Sequence, residues 1–186
     1  MIPARAFWFL RHGETDWNAD GRSQGRTDVP LNPTGVAQAA SAAQLLRGRG
    51  IASIVSSPLS RARDTAEAAG KVLGLPVTLI DDLQEVSFGV HEGTIQHAAW
   101  FTAWISGEAT PEDAESFAEL RTRAAKGLTE ALVHPAPVLV VAHGAWFRAL
   151  RAEMGLPIDV RTPNALPIFC DPNPTWSLTA AEGVTI

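Results

Sequence analysis

Residues 7–15 read Phe7-Trp8-Phe9-Leu10-Arg11-His12-Gly13-Glu14-Thr15. Four large apolar residues run directly into an arginine, a histidine and a glycine. A short apolar run closed by a turn residue is the pattern of a buried strand from a parallel sheet. Open α/β sheets bind ligands just beyond the carboxyl ends of their strands, and Arg11 and His12 stand at that place. The guanidinium offers a planar fork of donors, and the imidazole acts as nucleophile or donor, so the pair suits a doubly charged oxyanion. Gly13 frees the backbone to turn sharply or to approach a ligand closely.

The rest of the composition bounds what such a site can serve. The chain has 186 residues, 46% of them hydrophobic and 19% charged. That suffices for one domain, 1–186, with its own core. The formal charge is −5 with no basic run, which argues against a nucleic-acid surface. An anionic ligand would then need a locally positive cleft in an acidic protein. Cys170 is the only cysteine, so no intrachain disulfide forms, and no Cys/His cluster has zinc spacing. The first apolar run is too short for a signal peptide, and no stretch approaches the ~20 apolar residues of a membrane span. A cytoplasmic protein with no membrane partner is expected.

Downstream of the opening strand, residues 16–31 are polar and glycine-bearing and read as a long loop at a strand end, with Trp17 arguing for order. Asn32-Pro33 gives a helix start, cap then first-turn proline, and the helix runs to about Arg49. Ile51–Val55 reads as a second strand. Ser57-Pro58 repeats the cap-and-proline signal for a helix carrying Leu59, Ala62, Ala66, Ala69 and Leu73 on one face, closed by Gly74. Pro76–Ile80 is a third strand, and 81–94 a further strand-exit loop. A short aromatic segment, Trp100 to Ile105, follows. Ser116 to Glu119 forms a capping box that opens a helix to about Leu132. Pro137–Ala142 is the clearest buried strand, and it ends in His143-Gly144 before a helix to about Met154. Two short strands, Leu166–Phe169 and Trp176–Ala180, close the chain. Strands alternating with helices imply a mostly parallel central sheet with helices on both faces, a three-layer α/β sandwich.

Strand ends thus deliver Arg11-His12, Arg61 and His143 to one edge of that sheet, and a loop delivers Glu85. Two histidines, two arginines and a carboxylate form a coherent phosphoryl-transfer set: arginines neutralise the phosphoryl oxygens, one imidazole attacks, and an acid serves the leaving oxygen. Residues 11–15 with Trp17-Asn18 and Gln24-Gly25 resemble the signature of the histidine phosphatase superfamily, with its phosphoglycerate mutase-like fold. Ser57 to Ala62 with Thr65-Ala66, then Leu83-Gln84-Glu85 with Gly89, Glu92 and Gly93, then Ala142-His143-Gly144 with Arg148-Ala149-Leu150, resemble that family's later blocks in its order. The resemblance implies that His12 becomes phosphohistidine, that Arg11, Arg61 and His143 complete the phosphate pocket, and that Glu85 is the proton donor to the leaving alcohol. It also implies that Asn18, Gln24, Gly25 and Gly144 lie near the bound phosphate or substrate. No cofactor or metal is required, because arginines do the neutralising.

The expected activity is a phosphomonoesterase acting on a small phosphorylated metabolite. The alternatives are a cofactor-dependent phosphoglycerate mutase and a non-catalytic phosphate-binding module. Between Thr94 and Pro137 the only cations are Arg121, Arg123 and Lys126, against Glu108, Glu112, Asp113, Glu115, Glu119 and Glu130. This sparse positive charge favours phosphatase over mutase. Glu92 is the candidate second carboxylate that keeps a proton on Glu85. His91, His97 and His134 read as ordinary surface residues and Arg63 as a solvated one. Trp100, Phe101 and Trp104 read as core more than as substrate wall, with a homodimer through this segment as the candidate assembly. Cys170 reads as buried and inert.

Overall fold

The structure is a computed structural model and describes residues 2–95 and 98–181. A six-stranded sheet runs in the order β3-β2-β4-β1-β5-β6, with β1 at Phe7–Arg11, β2 at Ser53–Ser56, β3 at Val77–Leu79, β4 at Val138–Ala142, β5 at Pro167–Asp171 and β6 at Ser177–Ala180. The pairings β1–β4, β2–β4 and β2–β3 are parallel, and β5 runs antiparallel to both of its neighbours. The sheet is therefore mostly parallel, with helices on both faces. The helices are α1 (Asp16–Ala19), α2 (Pro33–Leu45), α3 (Ser60–Leu73), α4 (Ala98–Ser106), α5 (Phe117–Ala131) and α6 (Gly144–Glu153).

Period-two alternation along the central strands builds the two faces. Phe7 and Phe9 of β1 and Val138, Val140 and Ala142 of β4 pack with residues of α5 and α6. Trp8 and Leu10, with Leu139 and Val141, pack with the alanines of α2 and α3. Every side chain of β4 is buried, the signature of a strand covered on both sides. The Phe9 ring stacks on Phe147 of α6, with centroids 3.8 Å apart.

This layering locates the site. β1 and β4 are neighbours in register, Arg11 opposite Ala142. The chain leaves β1 toward α2 on one face and leaves β4 directly into α6 on the other. Adjacent parallel strands whose helices diverge to opposite faces open a crevice at their carboxyl ends. The His12 N–H bonds the Ala142 carbonyl at 3.1 Å, so His12 and His143 emerge side by side.

The caps show where local signals hold and where distant residues replace them. Asn32 caps α2 by accepting from the Gly35 N–H at 2.8 Å, with Pro33 in the first turn, and the Ser116–Glu119 capping box opens α5. The start of α3 differs from the sequence expectation. The helix begins at Ser60, its cap Leu59 has no side-chain bond, and Pro58 precedes it. The free N–H of Ser60 is taken by the Asp28 carboxylate at 2.8 Å, a cap supplied from the opposite loop. The stretch 16–31 is not all loop: α1 forms one turn, with Thr15 and Asn18 as a capping box. Residues 100–105 are helical, within α4.

Gly13 and Gly35 permit the closest backbone approach near the site. A Cβ on Gly13 would lie 2.4 Å from the Gly35 carbonyl oxygen, and one on Gly35 would lie 2.0 Å from that of Glu14. Gly13 therefore serves contact with α2. Gly35→Ala should lower stability by about 1–3 kcal/mol, the cost of overpacking against backbone that cannot yield, read as a reduced urea midpoint. An unchanged midpoint would show that the turn and α2 can separate.

Candidate active site

The turn after β1, the start of α3, the loop after β3 and the start of α6 converge on one cavity of about 590 Å³. Of the nine residues expected at the site, eight line it: Arg11, His12, Asn18, Gln24, Gly25, Arg61, Glu85 and Gly144. The ninth, His143, is fully buried behind them, its ring centroid 5.2 Å from that of His12.

The protonation pattern of the histidines follows from their partners. Nδ1 of His12 lies 2.7 Å from the Gly13 carbonyl oxygen. A carbonyl only accepts, so Nδ1 carries the proton and Nε2 presents its lone pair. Nε2 of His143 lies 2.8 Å from the Ser57 hydroxyl, which already accepts the Leu59 N–H at 3.3 Å. The hydroxyl keeps a second lone pair, so this contact runs in either direction; in the tautomer where Ser57 donates to Nε2, the imidazole proton sits on Nδ1, a buried atom with no partner among the described residues. His12 thus exposes a bare nitrogen, and in that tautomer His143 holds an unspent donor.

Both imidazoles are held well below the ordinary histidine value. Burial is the main cause, followed for His12 by the Arg61 and Arg11 guanidiniums, and the Gly13 bond opposes only in part. For His143 the same burial is reinforced by Arg61, His12 and Arg11. Neutral histidine is the form that a nucleophile requires.

The arginines are fixed by backbone carbonyls. Arg61 is fully buried on the first turn of α3, where it donates to Thr27 and Gly25 at 2.9 and 2.8 Å. Its Nε–H has no partner among the described residues, nor has that of Arg11, which donates through Nη1 to the Thr162 carbonyl at 2.7 Å. Burial lowers the Arg11 guanidinium to about 10, against the opposing pull of Glu85, so it stays charged at neutral pH. Gly144 lies against it: a Cβ there would sit 3.4 Å from Arg11 Nε, in ordinary van der Waals contact.

Glu85 sits on the N-terminus of α6. Its carboxylate accepts from the Ala145, Trp146 and Val86 N–H groups at 3.0, 2.9 and 3.0 Å. Free helix N–H groups are natural anion partners, and here they orient the carboxylate beside His143, the cap of the same helix. Glu92 and Glu85 both face the Arg61 guanidinium. Glu92 accepts from Arg26 and Phe88 N–H groups and from the Thr27 N–H and hydroxyl, tying two loops together. Gly25 is required by this packing, since a Cβ there would meet Glu92 at 2.1 Å at a φ of +55°. Gln24 accepts from the Thr15 hydroxyl at 2.9 Å, and Asn18 Oδ1 accepts from Asn164, which also holds the His12 carbonyl.

Several site residues were absent from the sequence expectation. Ser57 and Asn164 orient the histidine turns. Thr65 of α3 accepts the Gly13 N–H at 3.1 Å. Arg22, Arg148 and Arg161 line the cavity, so the positive charge judged sparse between Thr94 and Pro137 arrives from other segments. The aromatic segment divides: Trp104 is fully buried, packed on Phe88 and Phe117, while Phe101 lines the cavity. His91 is half-buried and stacks on Trp100 at 4.4 Å, unlike a free surface residue, and His134 is also half-buried. His97 lies outside the described residues. Arg63 pairs at the surface with Asp64, and Cys170 is buried, its thiol pushed up by burial.

Comparison with known proteins gives the same picture. The sequence profile of the histidine phosphatase superfamily (branch 1) matches residues 7–178. The chain is 38% identical over 151 residues to the uncharacterized phosphatase PhoE of Bacillus subtilis (strain 168), covering 80% of this chain and 77% of that one. It is 35% identical to the probable phosphoglycerate mutase GpmB of Yersinia pestis (strain Pestoides F), over 81% of this chain and 75% of that one. A mycobacterial glucosyl-3-phosphoglycerate phosphatase in complex with VO3 superposes with a TM-score of 0.83 at 31% identity, covering 95% of this chain and 98% of that one.

The neutral buried histidines make stability depend on pH with a definite sign. Unfolding returns each imidazole to its ordinary value near 6.5, so below that pH the unfolded chain binds protons that the folded chain excludes. Stability is full above 6.5 and should fall by up to about 1.4 kcal/mol per pH unit per histidine as pH drops toward 5. His12→Asn should roughly halve the slope. Urea unfolding in phosphate-free buffer measures this, and a flat profile would contradict neutral burial.

Proposed function

The chain belongs to the histidine phosphatase superfamily, and we propose that it is a phosphomonoesterase that passes the phosphoryl group of a small phosphorylated metabolite to His12 and then to water. One observation carries the reading. The bare Nε2 of a neutral His12 stands in a cavity ringed by Arg11 and Arg61, with the unspent Nδ1–H of His143 beside it.

The chemistry balances as follows. Nε2 of His12 attacks phosphorus in line with the ester oxygen, the P–O bond breaks, and Glu85 gives its proton to the departing alkoxide. A phosphate dianion entering beside Glu85 brings two acidic groups together, the arrangement in which one of them holds a proton. Water then attacks the phosphohistidine, Glu85 takes its proton, and the P–N bond breaks to restore His12. Arg11, Arg61 and His143 donate to the equatorial oxygens in both steps, a preorganised set that needs no reorganisation as charge develops. Asn18, Gln24, Gly25 and Gly144 shape the pocket. The relatives support hydrolysis and the lone buried cysteine supports a cytoplasmic setting. Two hydrophobic clusters on one sheet support a single domain over 1–186.

The mutase reading draws support from the GpmB relatives and the additional arginines in the cavity, and the fate of the phosphoenzyme separates the two. Rapid-quench labelling with a phosphomonoester should give a burst of acid-labile phosphoenzyme discharged to water. Discharge mainly to 3-phosphoglycerate would favour a mutase, and absence of labelling with retained phosphate binding a non-catalytic module. His12→Ala should abolish the label and lower turnover by about three orders of magnitude or more.

Glu85→Gln tests the acid. Loss of a general acid costs typically about 10²- to 10⁴-fold when the leaving group needs its proton. Alkyl phosphates should suffer that loss, whereas p-nitrophenyl phosphate, whose leaving group departs unprotonated, should lose far less in phosphoenzyme formation. Equal losses would remove Glu85 from that role.

A further inference from the structure

Ser23 is a cavity residue that the phosphoryl chemistry above leaves unused. It lines the cavity and is only 4% exposed, and its Oγ is a buried atom with no partner among the described residues. Its backbone is fixed in both directions: the Ser23 N–H donates to the Thr94 carbonyl at 2.9 Å, and the Ser23 carbonyl accepts from the Gly93 N–H at 2.8 Å. The hydroxyl is therefore carried by a segment held in place. A buried hydroxyl that bonds nothing is costly, and one in the wall of a ligand cavity is completed by what the cavity receives.

The surroundings define what would complete it. The phosphate end is served by Arg11, Arg61 and His143. Residues 19–23, Phe88 and Phe101 also line the cavity and are left to the alcohol portion of a bound ester. Charge on the Ser23 side is already balanced: Arg22 pairs with Asp20 at 3.4 Å and donates to the Gly93 carbonyl at 2.9 Å. An anion there would meet the Asp20 carboxylate, which also lines the cavity, so the group received is neutral. A serine hydroxyl has one proton to give and lone pairs with which to accept. With none of these spent, the complementary neutral group is another hydroxyl, which gives and accepts in the same way. Phe88 and Phe101 supply apolar surface for the carbon chain that bears it.

We infer that Ser23 is a specificity-determining residue whose hydroxyl binds a hydroxyl on the alcohol portion of the substrate. The preferred esters are then phosphorylated polyols or sugars, and simple alkyl phosphates leave the Ser23 hydroxyl without a partner. This assignment rests on the phosphatase reading above and narrows it to a substrate class.

A matched pair of esters tests it. Xylitol 5-phosphate and n-pentyl phosphate share a carbon chain and differ in whether every remaining carbon bears a hydroxyl. In Ser23→Ala the ratio of kcat/KM for the polyol ester to that for the alkyl ester should fall by about 5- to 100-fold, the range for one buried hydrogen bond left unmade. The hydroxyl removed bonds nothing among the described residues, so the urea midpoint of the variant should match or exceed that of the intact chain. An unchanged ratio, the result of parallel losses on both esters, overturns the assignment. A lowered midpoint overturns it as well, because the hydroxyl would then be engaged within the fold. If the intact enzyme hydrolyses p-nitrophenyl phosphate and the ratio does not respond to the variant, the role of Ser23 alone falls. If it hydrolyses none of the three esters, the phosphatase reading falls and the assignment with it.

Discussion

The burial of two uncharged imidazoles against two guanidiniums is the constraint from which the rest of the site follows. A buried histidine is costly when charged and inexpensive when neutral. Arg11 and Arg61 make the charged form more costly still, and their own charges are tolerated because backbone carbonyls take their donors. An arriving phosphate dianion reverses the balance: it supplies the negative charge that the arginines lack and accepts the free proton on His143. The apo site is thus electrostatically unfinished in a way that one tetrahedral anion completes. The unpartnered donors of Arg11, Arg61 and His143 are the structural trace of that incompleteness.

The fold supplies the geometry that this requires. Two parallel strands that adjoin in the sheet but feed helices on opposite faces bring two histidines, distant in sequence, into lateral contact. The same arrangement places the start of α6 beside them, and its free N–H groups seize Glu85 from a separate loop. One short helix therefore positions two functions through its cap and its first turn. The two cores on either side of the sheet hold these strand ends still, which a site built on hydrogen-bond distances demands.

What the sequence made legible was local. The apolar run before Arg11-His12, the equally apolar run before His143, the caps at Asn32 and Ser116 and the helical alternation between them are patterns that physics writes into neighbouring residues. From these, the layer architecture followed, and with it the convergence of Arg11, His12, Arg61, Glu85 and Gly144 on one cavity. What stayed hidden depends on residues far apart in the chain. Asp28 replaces the expected Ser57-Pro58 cap of α3 across 32 positions. The positive charge of the cavity is assembled in part from α6, the loop before β5 and the loop after α1, so counting cations in one interval missed it. Glu92 also joins two loops through backbone N–H groups and a threonine, a role that only the folded loops reveal.

The most direct test of this account reads the histidine ring nitrogens themselves. Long-range ¹H–¹⁵N correlation spectra at pH 6, without phosphate, should show His12 and His143 neutral, each with its proton on Nδ1 and an unprotonated Nε2. Vanadate should then perturb Nε2 of His12 and Nδ1 of His143 together. Two imidazolium patterns at that pH, or rings that respond to the anion independently, would contradict the neutral, anion-completed pocket on which everything else depends.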